Sequence, residues 1–128
     1  MTPAAQARRI GARAFGQRSE SLAADYLAAR GYSILARKFT IRGGEIDIIA
    51  ELEGAVVFVE VKARAGIEAA LGAISETKRR RIARAANAWV ARNPWAGDGY
   101  VLRGDAVLLD GTAPPLHIED AFGLEFEE

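Results

Sequence analysis

The sequence contains no cysteine. That excludes a disulfide framework, a cysteine-ligated zinc site and a thiol nucleophile. Its single histidine, His117, excludes sites built from several histidines, and a Ser-His triad would have to use that one residue. His117 stands isolated and reads as structural; Ser19 and Ser75 have no evident base partner, which argues against serine chemistry. No apolar run approaches the ~20 residues of a membrane span. The segment Met1 to Gly16 carries arginines but lacks the apolar stretch, about 7–15 residues long, of a secretory signal. The expectation is a soluble cytoplasmic protein with no membrane partner. Net charge is also absent, with 17 basic and 17 acidic side chains, so no global electrostatic attraction to nucleic acid is implied.

What is present is an ordinary globular composition: 128 residues, 50% hydrophobic and 27% charged. This suits one domain over residues 1–128, with the core at about 14–110 and residues 111–128 as an acidic C-terminal extension. The zero net charge hides a segregation. Residues 1–42 carry eight Lys/Arg against two Asp/Glu, and 61–92 carry eight against two. Residues 43–60 hold five acids and no base, and 93–128 hold eight acids and one base. Folding could therefore wrap two basic blocks around an acidic strip.

Periodicity supplies the elements. Residues 14–30 read as a helix in which Phe15, Leu22, Ala23, Tyr26 and Leu27 recur at helical spacing before Gly31. Strands follow at 32–39, 45–52 and 55–64, the last two joined by Glu53-Gly54. The run Val56 to Val59 is apolar on both faces, as a covered central strand would be. A second helix spans 75–92, capped by Ser75, with Ile82, Ala85, Ala86, Trp89 and Val90 as its buried stripe and Asn93-Pro94 as its stop. A fourth strand at 100–110 could return parallel to the third, and Leu116 to Glu119 makes a short edge strand. The fold class is α/β: a mixed sheet, antiparallel meander plus crossover, flanked by helices.

The chemistry concentrates at the central hairpin. If Glu53-Gly54 is a two-residue turn, Leu52 pairs with Ala55, Asp47 falls opposite Glu60, and Glu45 falls opposite Lys62. Alternation then puts Glu45, Asp47, Phe58, Glu60, Lys62 and Arg64 on one face. Two carboxylates roughly 5 Å apart repel by about 3 kcal/mol at an effective dielectric near 20. One carboxyl stays protonated, Lys62 bridges the pair, or a divalent cation binds; oxygen-only donors favour Mg²⁺ or Mn²⁺ over zinc. Glu20, on a face with Gly16, Ala23, Ala24 and Leu27, lies near the packed stripe of the first helix. The second helix opens with Glu76, Thr77, Lys78, Arg79, Arg80 and Arg81, followed by Arg84. Lys78, four residues before Ile82, points toward the core side, and Arg80 and Arg84 lie on an outer face suited to phosphate. Arg103 and Asp105 share a strand face and either complete a site or pair with each other; Trp95 is a loop residue that could be exposed.

These residues carry a resemblance. Gly16-x-x-x-Glu20, Tyr26-Leu27-x-x-x-Gly31-Tyr32, Gly44-Glu45-Ile46-Asp47, Val57-Phe58-Val59-Glu60-Val61-Lys62-x-Arg64 and Lys78-x-x-Arg81-Ile82 are similar to the YraN-like family of bacterial proteins, over about residues 14–110. That family in turn resembles the restriction-endonuclease-like, or PD-(D/E)XK, superfamily, archaeal Holliday-junction resolvases especially. The resemblance implies a restriction-endonuclease-like fold and a metal-dependent nuclease. Asp47 would be the motif aspartate, Glu60 its acidic metal ligand, Lys62 its lysine and Glu20 the helix glutamate of some members. Mg²⁺ (or Mn²⁺) would be held by Asp47, Glu60 and the Val61 carbonyl. Lys78, Arg79, Arg80, Arg81, Arg84 and Arg64 would contact nucleic acid, DNA foremost, and a junction resolvase would act as a homodimer. Ile46 stands where the superfamily has proline, and Gly104 where the family's Arg-Phe-Asp has its aromatic. A non-catalytic nucleic-acid-binding module on the same fold, or a scaffold that uses the acidic tail at 119–128, are the alternative classes.

Overall fold

Five strands form one mixed sheet in the order β1-β2-β3-β4-β5. They are β1 (Ser33–Ile41), β2 (Gly44–Leu52), β3 (Ala55–Ala63), β4 (Val101–Leu109) and β5 (Leu116–Phe122). The computed structural model describes residues 18–63, 74–109 and 114–124. Helix α1 covers residues 18–29 and helix α2 spans Glu76–Arg92. The expected first turn of α1 with Phe15 and Gly16, and Arg64 after β3, lie outside the described residues.

The meander and the crossover both form. β1–β2 and β2–β3 are antiparallel, α2 carries the chain across, and β4 returns parallel to β3. The β2–β3 turn has positive φ at both central residues, Glu53 (48°) and Gly54 (82°). Its twist therefore matches that of the strands and sets Leu52 opposite Ala55. Val56 to Val59 are fully buried because both sheet faces are covered. On one face Ile49, Val56 and Phe58 pack with Ile82, Ala85, Ala86 and Trp89 of α2. On the other, Ile48, Ala50, Val57 and Val59 pack with Ala23, Ala24 and Leu27 of α1. Leu22 departs from its expected place in the buried stripe: it is 46% exposed, because the sheet meets only the Ala23–Leu27 side of the helix.

Ser75 caps α2, its hydroxyl accepting from the Lys78 N–H at 3.1 Å. The helix lies very close to β2. A Cβ added at Gly44 would stand 2.6 Å from the Arg81 carbonyl oxygen, so only glycine admits this approach. After Asn93 a short 3-10 turn, Pro94–Gly97, sets Trp95 edge-on to Trp89 and Tyr100. β5 is longer than the expected edge strand and reaches Phe122, whose ring covers Gly104. A Cβ at Gly104 would come within 2.6 Å of that ring. The space beside Gly104 in β4 is thus filled by a side chain from β5. None of the described helices is long and apolar enough to cross a membrane.

Candidate active site

The β2–β3 ladder runs from Leu52↔Ala55 to Ile48↔Val59. Beyond it the Val61 N–H donates to Asp47 Oδ2 at 2.8 Å, so a carboxylate replaces the backbone acceptor. The expected facing pair therefore comes together at the end of the ladder, where the Asp47 carboxylate is near enough for its charge to raise Glu60. Glu60 is 2% exposed. Its Oε1 takes Lys62 Nζ at 3.2 Å and Lys78 Nζ at 3.5 Å. Its Oε2 is buried with no hydrogen-bond donor among the described residues. Asp47 supplies no donor either: two carboxylates bond only by sharing a proton.

The electrostatics follow. Burial, then the Asp47 charge, push the Glu60 carboxyl up to about 7, against the opposing pull of the two lysines. Burial likewise raises Asp47, although the Val61 N–H and Lys78 work in the other direction. Glu45 behaves differently. Lys78 donates to its Oε1 at 2.9 Å and holds the carboxyl below its ordinary value. Burial favours the neutral form of Lys78, but Glu45, Glu60 and Asp47 together outweigh it and keep the ammonium charged.

Three expectations about partners need correction. Glu45 bonds Lys78 and Lys62 bonds Glu60; the expected Glu45–Lys62 pair gives way because α2 inserts its own lysine between the strands' acids. The three carboxylates do not converge: among the described residues no group of three or more His, Cys, Asp or Glu could hold a metal ion. His117 is not isolated, since its Nε2 lies 2.7 Å from Asp105 Oδ2.

The remaining candidates are dispersed around this pair. Glu20 is buried, and its carboxylate is held by Arg37 at 3.3 Å and Lys38 at 3.4 Å. It is near enough for its charge to raise Asp47. Arg79, Arg80 and Arg84 are exposed and Arg81 is half-buried. Arg80 pairs with Glu76 at 2.8 Å, and Arg84 reaches the Gly43 carbonyl at 3.5 Å. Arg103 and Asp105 pair with each other through two bonds of 2.8 and 2.9 Å.

Sequence reasoning missed two features. The pairing of Glu20 with β1 joins residues 17 and 18 positions apart, which no local pattern reports. The grip of Lys78 on the sheet acids had a signal, its place one turn before Ile82, but the rotation and closeness of α2 were needed to read it.

A mixed five-stranded sheet with a helix on each face, and this acid pair at the fork of its central hairpin, has the restriction-endonuclease-like α/β architecture related to the PD-(D/E)XK superfamily. Residues 19–109 match the model of the uncharacterised protein family UPF0102. A UPF0102 protein of Methylorubrum populi is 47% identical over 120 residues, covering 94% of this chain and 95% of its own length. One from Methylobacterium nodulans is 46% identical over 110 residues (86% and 84%), and one from Rhodopseudomonas palustris 44% over 114 residues (89% and 87%). The chain belongs to the UPF0102, or YraN-like, family.

Proposed function

We propose that this protein is a divalent-metal-dependent nuclease acting on DNA phosphodiesters, with branched or junction DNA as the substrate class its resemblance favours. The observation that carries this reading is Glu60 Oε2: a buried oxygen without a donor among the described residues, beside a second carboxylate. Burying such an atom is expensive unless a proton or a cation completes it. The oxygen donors of Asp47 and Glu60, with the Val61 carbonyl, suit Mg²⁺ or Mn²⁺. A bound ion of this kind supplies a water of lowered pKa and offsets charge at the scissile phosphate.

The chain's own residues do the rest. The Val61 N–H fixes Asp47, and Lys62 fixes Glu60 through Oε1, which leaves Oε2 as the donor toward the ion. Lys62 also offers a positive charge to the incoming phosphate. Glu20, held by Arg37 and Lys38, adds negative potential near Asp47. Arg79, Arg80 and Arg84, with Arg81 and Arg64, would meet the nucleic-acid backbone and give affinity without base readout. Two such sites, and hence a homodimer, would be needed to cut a junction symmetrically.

The test is a cleavage screen of branched, flapped and linear DNA with Mg²⁺ and Mn²⁺. Cleavage is expected in the wild type and lost in Asp47→Ala and Glu60→Ala, with unchanged circular dichroism. Cleavage that persists in both variants contradicts the assignment. One observation favours a second reading, a non-catalytic nucleic-acid-binding module: two lysines already face Glu60, and no third acid converges among the described residues. That reading expects salt-dependent DNA binding with no cleavage in either metal.

A further inference from the structure

The first turn of α2 brings a second ammonium group onto the acid pair. Lys78 Nζ lies 2.9 Å from Glu45 Oε1 and 3.5 Å from Glu60 Oε1. This placement is built in. The Ser75 cap fixes the turn, and Gly44 lets the helix backbone approach β2 closely. Arg80 on the same turn points away and pairs with Glu76. The two acids that share Lys78 are unequal: the Glu45 side chain is 43% exposed and that of Glu60 only 3%. Water can hydrate Glu45 in place of the lysine, but it does not reach Glu60.

Building on the metal-site reading above, we propose that Lys78 is an internal counter-cation that competes with the divalent ion for Glu60, and that Glu45 tunes this competition by holding Lys78 from the other side. Two cations against one carboxylate repel, and a buried site screens that repulsion weakly. Without the Lys78 ammonium, the metal meets one ammonium at Glu60, that of Lys62, instead of two. Without the Glu45 charge, Lys78 is left to Glu60. The two substitutions therefore act in opposite directions on one equilibrium. A purely structural role for the Glu45–Lys78 bridge would instead weaken metal binding in both.

The experiment is a calorimetric Mn²⁺ titration of the full chain and its Lys78→Met, Glu45→Gln, Arg92→Met and Asp47→Ala variants. Lys78→Met should bind Mn²⁺ about tenfold more tightly than wild type. Glu45→Gln should bind it several-fold more weakly. Arg92→Met, at the far end of α2, should match wild type. Unchanged or weaker binding by Lys78→Met overturns the proposal. If that variant does not fold by circular dichroism, Glu45→Gln decides, and unchanged or tighter binding there overturns it. Binding that is lost in Asp47→Ala but unmoved by Lys78→Met removes only the counter-cation role. A wild type that binds no Mn²⁺ removes the metal reading as well.

Discussion

Two buried acids sit on neighbouring strands at almost the same height, Glu60 on β3 and Asp105 on β4, where Val59 pairs with Asp105. Asp105 is completely enclosed, yet its surroundings complete it. Arg103 forks onto both oxygens, His117 bonds Oδ2, and the Asp120 N–H donates to Oδ1 at 3.1 Å. Arg103 also reaches the Tyr32 hydroxyl at 3.1 Å, which ties β4 to the end of α1. Burial works against the Asp105 charge, but these donors win and hold its carboxyl below the ordinary range. Glu60 receives two lysines on one oxygen and, among the described residues, no donor on the other, and its carboxyl is pushed up to about 7. A buried acid with every oxygen satisfied is architecture. One left incomplete is a candidate for ligand binding.

Breaking the architectural site should have the largest effect. Asp105→Ala leaves the Arg103 and His117 side chains without their acceptor, and denaturant titration should read a loss of about 3–5 kcal/mol. The Asp105 contribution is present above the ordinary carboxylate range and disappears as pH falls through its lowered folded value.

Glu60 has the opposite sign. Its folded value near 7 exceeds the ordinary 4.5, so the unfolded chain releases the proton first. Stability should decline as pH rises between those values, by about 3 kcal/mol in all. Glu60→Gln should flatten that decline, and Mg²⁺ above pH ~7 should restore stability in the wild type only. A wild type and Glu60→Gln with parallel pH profiles would contradict the contrast between the sites.

Next in size is Gly104→Ala, which forces a Cβ into the Phe122 ring and should cost about 1–3 kcal/mol in thermal denaturation. Adding Phe122→Ala should not restore wild-type stability, because the Phe122 carbonyl oxygen still stands 2.8 Å from the new Cβ and a buried ring is lost. The smallest effect belongs to the exposed arginines. Each of Arg79→Ala and Arg84→Ala should lower the salt dependence of DNA binding by about one unit of slope and barely move stability.

Much of this was legible in the sequence because it is encoded at short range. Glu53-Gly54 gives the turn, the turn gives the register through Ile48↔Val59, and that register brings Asp47 beside Glu60. The doubly apolar Val56–Val59 run announced a strand covered on both faces, and Ser75 and Ile82 announced α2. What was not legible depends on how elements seat against each other. The Glu45 and Lys78 contact spans 33 residues and requires the rotation of α2 over Gly44. The Asp105–His117 bond requires β5 to pair with β4 at Val107↔His117. Phe122 over Gly104 requires the same strand to continue past Glu119.

The most direct test is Mn²⁺ calorimetry at pH ~8 on the wild type, Asp47→Ala and Glu60→Gln, each first shown to be folded. A saturable binding event is expected in the wild type and absent from both variants. Equal binding isotherms for all three proteins would contradict it.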